Sequence, residues 1–400
     1  MQKHRWEASA YSRSIEGSRT LAVTAKVAEL KRQGVEVIAL GAGEPDFPTP
    51  EKVCEAGIQA IRDGHTKYTP NAGIFELRKA IAQFLQSLGC DYAAEDILVC
   101  NGAKQAIYNA LLATVDEGDE VLLPVPYWTS YPEQIKMARG RCVLLPTEEK
   151  DHFKINGEVL RRAITPRSRV LILNSPSNPT GMVYTRQELQ QIAEIIYDQG
   201  LLVISDEIYL KLIYSDVETA SMGSFAEIRD QVLLVNGLSK SHSMTGWRLG
   251  YLAAKPPFIQ AAMKIQSHVT SNASSISQYA ALAALKMPES ELDKMREAFR
   301  QRRDYVVGRL QQMPGLSCLK PDGAFYVFPN VENCLGKSFE RKTLQSPMDL
   351  TSYLLEQARV AVVPGEAFGS EKHIRISYAT SMKNLQEAMN RIEKALAKLS

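Results

Sequence analysis

The sequence predicts an α/β fold: a large domain with a mostly parallel sheet between helices, joined to a smaller α+β domain. Three observations predict it. Short apolar runs alternate with helical patterns through the middle of the chain. Those runs are continuous in Val, Ile and Leu, which marks strands buried on both faces. After about Pro288 the pattern changes to long helices and alternating strands. A chain of 400 residues also exceeds what one compact core holds, so more than one domain is expected.

Taken in order, a helical pattern at 21–33 is expected to pack with the smaller domain, giving an arm over 1–44. The large domain is expected over 45–288. There, 96–100 (DILVC) reads as a strand and 104–115 as a helix; 120–123 (EVLL) is a strand followed by a helix near 131–138. Residues 169–173 (RVLIL) form a strand, 186–199 a helix, and 201–204 (LLVI) and 232–235 (VLLV) two more strands. Such alternation implies right-handed crossovers, with ligands held beyond the carboxyl ends of the strands. The smaller domain, 289–400, holds a charged helix at 290–312, the alternating strand GAFYVF (323–328) and a further helix. VAVVPGEAFG (360–369), HIRISYA (373–379) and a closing amphipathic helix at 382–399 complete it.

Composition excludes several classes. The formal net charge is +2, which gives no global attraction to nucleic acid or a membrane surface. The densest basic run, 300–303, falls in a helical pattern and reads as a solvated face. No stretch approaches the ~20 apolar residues of a membrane span. Residues 1–17 are too polar for a secretory signal; a trimmed organelle transit peptide is left open. The six cysteines show no CxxC pairing and no nearby histidine at ligand spacing, so reduced thiols in a cytoplasmic setting are expected. Six dispersed histidines argue against a metal hydrolase, and no metal is expected. A dinucleotide site would want GxGxxG, but GAGEP (41–45) breaks that pattern with a proline.

The most informative stretch is GLSKSHSMTGWRLG, 237–250. Lys240 follows a buried strand and is flanked by small residues, which let a flat molecule approach the backbone. An amine that forms a Schiff base must be partly neutral, so it needs a desolvated pocket or a nearby cation. Arg248 is either that cation or a clamp for a phosphate. Read alone, a lysine after a strand is most often a surface lysine.

This segment resembles the cofactor-lysine signature of class I aminotransferases. Other pieces stand in the order of that family: GEPDF (43–47), KYTPNAG (67–73), NGAKQA (101–106), PYW (126–128), SPSNPTG (175–181), SDEIY (205–209), GAFY (323–326) and RISYA (375–379). The resemblance runs from about Leu21 to the C-terminus. It is strongest to the subgroup of bacterial-type aspartate aminotransferases that includes the plastid-type glutamate/aspartate–prephenate enzymes. It implies the fold of the type I pyridoxal-phosphate enzymes, pyridoxal 5'-phosphate as cofactor, a ping-pong transamination and a homodimer with shared active sites.

The resemblance also assigns roles. Lys240 holds the cofactor as a Schiff base and shuttles the proton, which is general acid–base work. Asp206 pairs with the ring nitrogen and keeps it protonated, although an Asp after a strand is also a common cap. Asn178 and Tyr209 bond the ring's phenolic oxygen; alone, NPTG reads as a simple turn. Gly102, Ala103 and Lys104 open a helix whose free N–H groups suit a phosphate, with Arg248 as its charged clamp. Tyr68 reaches the phosphate of the neighbouring subunit, or is merely a surface aromatic. Trp128 stacks on the ring, or is core. Arg375 grips the substrate α-carboxylate against Gly43, where only glycine permits the approach, or makes a structural ion pair.

For substrate choice, Lys104 resembles the lysine that meets the distal carboxylate of aspartate or glutamate. Thr20 matches a threonine of members that also accept prephenate; otherwise it is a helix-capping residue. The expected partners are therefore amino acids and the 2-oxo acids oxaloacetate, 2-oxoglutarate and, as an extension, prephenate. An aromatic aminotransferase, or a lyase or synthase on the same fold, would use the same Lys240 and Asp206. A sensing domain of a transcription regulator is disfavoured, because no basic helix-turn-helix segment precedes Leu21.

Overall fold

The computed structural model describes residues 7–400; the first part of the polar stretch 1–17 lies outside them. Its centre is a seven-stranded sheet of β1 (Ile97–Cys100), β2 (Glu120–Val125), β3 (Arg141–Pro146), β4 (Ser168–Asn174), β5 (Leu202–Asp206), β6 (Val232–Gly237) and β7 (Gly250–Ala253). The spatial order is β1-β7-β6-β5-β4-β2-β3. β2 to β6 run parallel, and β7 is antiparallel to both β1 and β6.

Period-2 geometry splits each strand between two apolar cores. Ile97, Val99, Val203 and Leu234 face one core, which includes Ile81, Leu85, Ile192 and Ile196 from helices. Leu98, Cys100, Ile204 and Val235 face the other, with Ile107, Leu111 and Ile135. Burial on both faces is why these strands read as unbroken apolar runs.

Two strands escaped the sequence pattern. β3 is the sheet's edge and mostly exposed, so it carries no doubly buried signal. β7 has only four residues and begins with glycine. The helix Arg186–Gln199 has the expected bounds: Thr185 and Glu188 form a capping box, and Gly200 takes the left-handed cap.

The C-terminal part packs around a third core. It joins Phe299, Val306 and Leu310 of the helix Asp293–Leu310 to Ile374, Ile376 and residues of the last helix, Met382–Leu396. The helix Arg19–Arg32 belongs to this side: Val23 and Val27 cluster with Val37, Ala361 and Leu355, and Ile38–Ala39 pairs parallel with Val360–Ala361.

Two expectations need correction. In GAFYVF only Tyr326–Val327 joins a ladder, because Ala324 takes a left-handed φ of 57° that breaks the strand. The basic run 300–303 is not uniformly solvated. Arg303 is buried and donates to Pro321 O, and Arg302 pairs with Asp46 across the face of Phe47. A helix wedged between cores buries one side of any basic run. Among the described residues no helix is long and apolar enough to cross a membrane. All six cysteines are unpaired.

Candidate active site

The carboxyl ends of β4, β5 and β6 open into a cavity of about 430 Å³. It lies between the sheet and the C-terminal part, and it collects residues from positions 20 to 375. Gly43, Ala103, Lys104, Trp128, Asn178, Asp206, Tyr209, Lys240, Arg248, Arg375 and Thr20 all line it. Gly102 sits just behind the wall. Tyr68 does not line it; its side chain is 90% exposed.

Asp206 is the last residue of β5 and is buried. Tyr131 Oη donates to its Oδ2 at 2.7 Å, and the Ile208 N–H donates to Oδ1 at 3.2 Å. Burial pushes this carboxyl up to about 6, while those two bonds and the Lys240 charge pull it back down. At neutral pH it therefore remains mostly ionised. Lys240 stands beyond β6 and donates to Gly43 O at 2.6 Å. Burial brings its amine down to about 8, helped by the Arg248 and Arg375 charges. A lysine so placed has a substantial neutral fraction near pH 8, which a nucleophilic or proton-moving amine requires.

A second feature is a cradle at the start of the helix Ala103–Thr114. Gly102 caps it with a φ of 85°, and a Cβ there would stand 2.5 Å from Arg248 Nη2. The backbone angle favours glycine, and a side chain there would push the Arg248 guanidinium aside. Gly250 is likewise in contact with the backbone of Ala103, so a side chain there would displace the helix start. Arg248 holds a left-handed φ of 52° and donates to Thr245 O and Asn101 O. The first N–H groups of this helix have no intrahelical acceptor, so helix end and guanidinium converge on one anion-sized space.

The opposite wall carries Arg375, buried on the strand Ile374–Ser377. Its Nη1 donates to Asn178 Oδ1 at 2.9 Å and its Nη2 to Gly41 O at 2.8 Å; Nε is buried without a partner. The guanidinium lies 4.5 Å from the Tyr326 ring centroid and 4.9 Å from that of Phe368. Tyr209 and Tyr326 share a hydroxyl bond of 2.9 Å. Because Arg375 occupies Asn178 Oδ1, the amide nitrogen is left as that side chain's donor. Lys104 Nζ rests 4.9 Å from the centre of Trp128, and burial and the Arg248 charge lower its amine. Thr20 lies inside the first turn of its helix, and its Oγ1 is 2.9 Å from Ser18 Oγ.

Four cations, Lys104, Lys240, Arg248 and Arg375, thus face two carboxylates, Glu44 and Asp206. The cations' own bonds go to carbonyls, one amide and an aromatic face. Arg375 is buried with no carboxylate partner among the described residues, which is costly, and the exposed Lys104 and Arg248 add positive charge at the cavity edge, so the cavity suits an anionic occupant. Sequence reasoning missed Tyr131, Tyr326 and Glu44. Only Glu44 and Tyr326 had a signal, since they fall inside the quoted GEPDF and GAFY.

The family model described as "Aminotransferase class I and II" matches residues 35–392. The chain belongs to this family. It is an aminotransferase, similar to the aspartate aminotransferase of Geobacillus stearothermophilus, with 47% identity over 95% of this chain and 96% of that one. It is 49% identical to a Petunia hybrida protein named bifunctional aspartate aminotransferase and glutamate/aspartate-prephenate aminotransferase, over 96% of this chain and 81% of the relative. Among solved structures, the aspartate aminotransferase of Rhizobium meliloti matches with a TM-score of 0.95 at 42% identity, over 99% of this chain and all of that one. The aminotransferase family implies pyridoxal phosphate. The residues present fit it: the Gly102–Arg248 cradle suits a phosphate, Lys240 an aldehyde, and the buried Asp206 a protonated ring nitrogen.

Proposed function

We propose that this aminotransferase moves the amino group of aspartate or glutamate to oxaloacetate or 2-oxoglutarate, with pyridoxal phosphate on Lys240. One observation carries the substrate class: Arg375 and Lys104 both face the cavity, and neither has a carboxylate partner among the described residues. Two cations awaiting anions suit a dicarboxylic amino acid.

Pyridoxal phosphate, when bound, supplies the aldehyde carbon that accepts the amino group and a ring that accepts electrons. The chain supplies the rest. Ala103 and Lys104 N–H groups, with the Arg248 fork, hold the phosphate. Asp206, kept ionised by Tyr131, holds the proton on the ring nitrogen. Asn178 Nδ2 and the Tyr209 hydroxyl would donate to the ring oxygen, and Trp128 would cover the ring. Arg375 grips the α-carboxylate with Gly43 alongside, and Lys104 meets the distal carboxylate. Lys240 Nζ takes the proton from the substrate α-carbon and returns it on the other side of the reaction. The same reading has the chain working as a cytoplasmic homodimer, with the exposed Tyr68 completing the neighbour's phosphate site. It also keeps 1–44 as an arm, 45–288 as the cofactor-binding domain and 289–400 as the domain that carries Arg375.

Thr20 lines the cavity together with Lys104, and this favours prephenate as a second acceptor. A panel of glutamate, aspartate and an aromatic donor against oxaloacetate, 2-oxoglutarate and prephenate tests both readings. The dicarboxylic donors should lead by roughly tenfold or more, the value of about 1.4 kcal/mol from one partly exposed charge pair. A leading aromatic donor would overturn the substrate class, and turnover without any acceptor would make the enzyme a lyase.

A further inference from the structure

β5 ends on the buried Asp206, and the residue just past it, Glu207, is a second buried carboxyl. Strand geometry sends them to opposite faces of the sheet. Asp206 meets Tyr131 on the cavity side. Glu207 turns to the other core, where one oxygen, Oε1, accepts from Ser205 Oγ at 2.9 Å, Ser221 Oγ at 2.9 Å and the Met222 N–H at 3.0 Å. Its second oxygen, Oε2, is buried with no partner.

We propose that Glu207 is a positioning residue for the transamination: it pins the end of β5 to the turn at 221–222, and so fixes Asp206 and Tyr209 from behind. The inference rests on the reading of Asp206 and Tyr209 given above. Three features support it. First, the segment it anchors begins the turn that carries both residues: Glu207 N–H donates to Val235 O, and Leu210 N–H to Glu207 O. Second, the bonds tie this turn to Ser221 and to Met222, which belongs to the sheet core, whereas Ile208, Tyr209 and Leu212 belong to the C-terminal core. Glu207 therefore sits at the seam between the two packing units. Third, among the described residues its bonds come from neutral donors: the three onto Oε1 pull its carboxyl down, and burial opposes them. The groups facing it are Cys90 and Tyr92 from the segment after the helix Phe75–Ser87, Tyr251 from β7, and Asp206 itself. Arg229 lies beyond the Tyr92 ring, 5.8 Å from its centroid, and bonds Asp91. Burial pushes the Glu207 carboxyl up to about 7, and the Asp206 charge adds to it.

The test compares Glu207→Gln with Glu207→Ala. Glutamine keeps a neutral acceptor for the three donors; alanine removes it. The Gln variant should retain kcat and pyridoxal phosphate affinity within about twofold, and the Ala variant should lose roughly tenfold or more of both, the scale of a misplaced reacting group. Should the Ala variant fail to fold, Ser221→Ala removes one of the donors and should give a smaller loss in the same direction. The second readout is thermal unfolding of the cofactor-free protein, which needs no activity. Folded Glu207 keeps a proton that the unfolded chain releases, so it stabilises at low pH and that contribution is lost as pH rises toward and through about 7. The Gln variant has no such loss, so its Tm should gain on the wild type by about 1–3 °C between pH 5 and pH 8. A flat difference, or a Gln variant as impaired as the Ala variant, overturns the proposal. An inactive wild type that still shows the pH-dependent gap would sink the transaminase reading instead.

Discussion

The two walls of the cavity are built by different means. On the sheet wall, Asp206 ends a five-residue strand hydrogen-bonded on both sides, and Lys240 follows the buried β6. On the other wall, Arg375 sits on the four-residue strand Ile374–Ser377, whose neighbours contribute only two residues each. What fixes Arg375 is side-chain chemistry between distant segments: Gly41 O, Asn178 Oδ1 and two aromatic faces. In the proposed function, cooperative backbone pairing places the atoms that would move protons and electrons, and point contacts place the atoms that would recognise carboxylates. Substitutions on the first wall should therefore fall on kcat, and those on the second on KM and on specificity.

The largest effect should come from Lys240→Ala on the sheet wall. Loss of a positioned general base costs about 10²–10⁴-fold in kcat. Single-turnover kinetics should show that loss with Tm little changed, since a buried amine is removed and not a packing group. A variant that kept near-normal turnover would erase the distinction between the walls.

Next comes Arg375→Ala. Removing the partner of a buried carboxylate pair costs about 3–5 kcal/mol. KM for every amino acid donor should rise by roughly 100-fold or more, with kcat falling less. A pure kcat defect would place Arg375 with the chemistry, not with recognition.

Lys104→Ala sharpens the second wall. It should lower kcat/KM for aspartate and glutamate by roughly tenfold or more, about 1.4 kcal/mol for one partly exposed charge pair, and change an aromatic donor by less than about twofold. Equal losses for both donor classes would remove Lys104 from the distal carboxylate.

The smallest effect is expected from Tyr131→Phe. Losing this donor weakens the charged form of Asp206, so its carboxyl moves above about 6. The acid limb of the kcat profile should move up by about one pH unit, the value of a charge-assisted hydrogen bond. An unmoved limb would mean that Tyr131 only packs against Trp128, with which it makes an edge contact at 5.3 Å.

Legibility follows the same division. β4, β5 and β6 and the residues just past them were readable, because double burial writes an unbroken apolar run and the site sits where such a run ends. The phosphate cradle was readable in outline from its glycine and helix start. Tyr131 was not, because its link to Asp206 spans 75 positions and depends on how one short helix crosses the sheet. Tyr326 and Tyr209 meet across 117 positions for the same reason. Arg303 was misjudged because charge density along a sequence does not reveal which side of a helix faces a second core. Glu207 was quoted within SDEIY yet passed over, since a period-2 strand sends it away from the cavity.

Covalent trapping tests the central claim most directly. The protein loaded with pyridoxal phosphate is reduced with borohydride, digested and mapped by mass spectrometry. The account predicts one stable addition, on the peptide that contains Lys240. An addition on Lys104 or another lysine, or none at all, would contradict it.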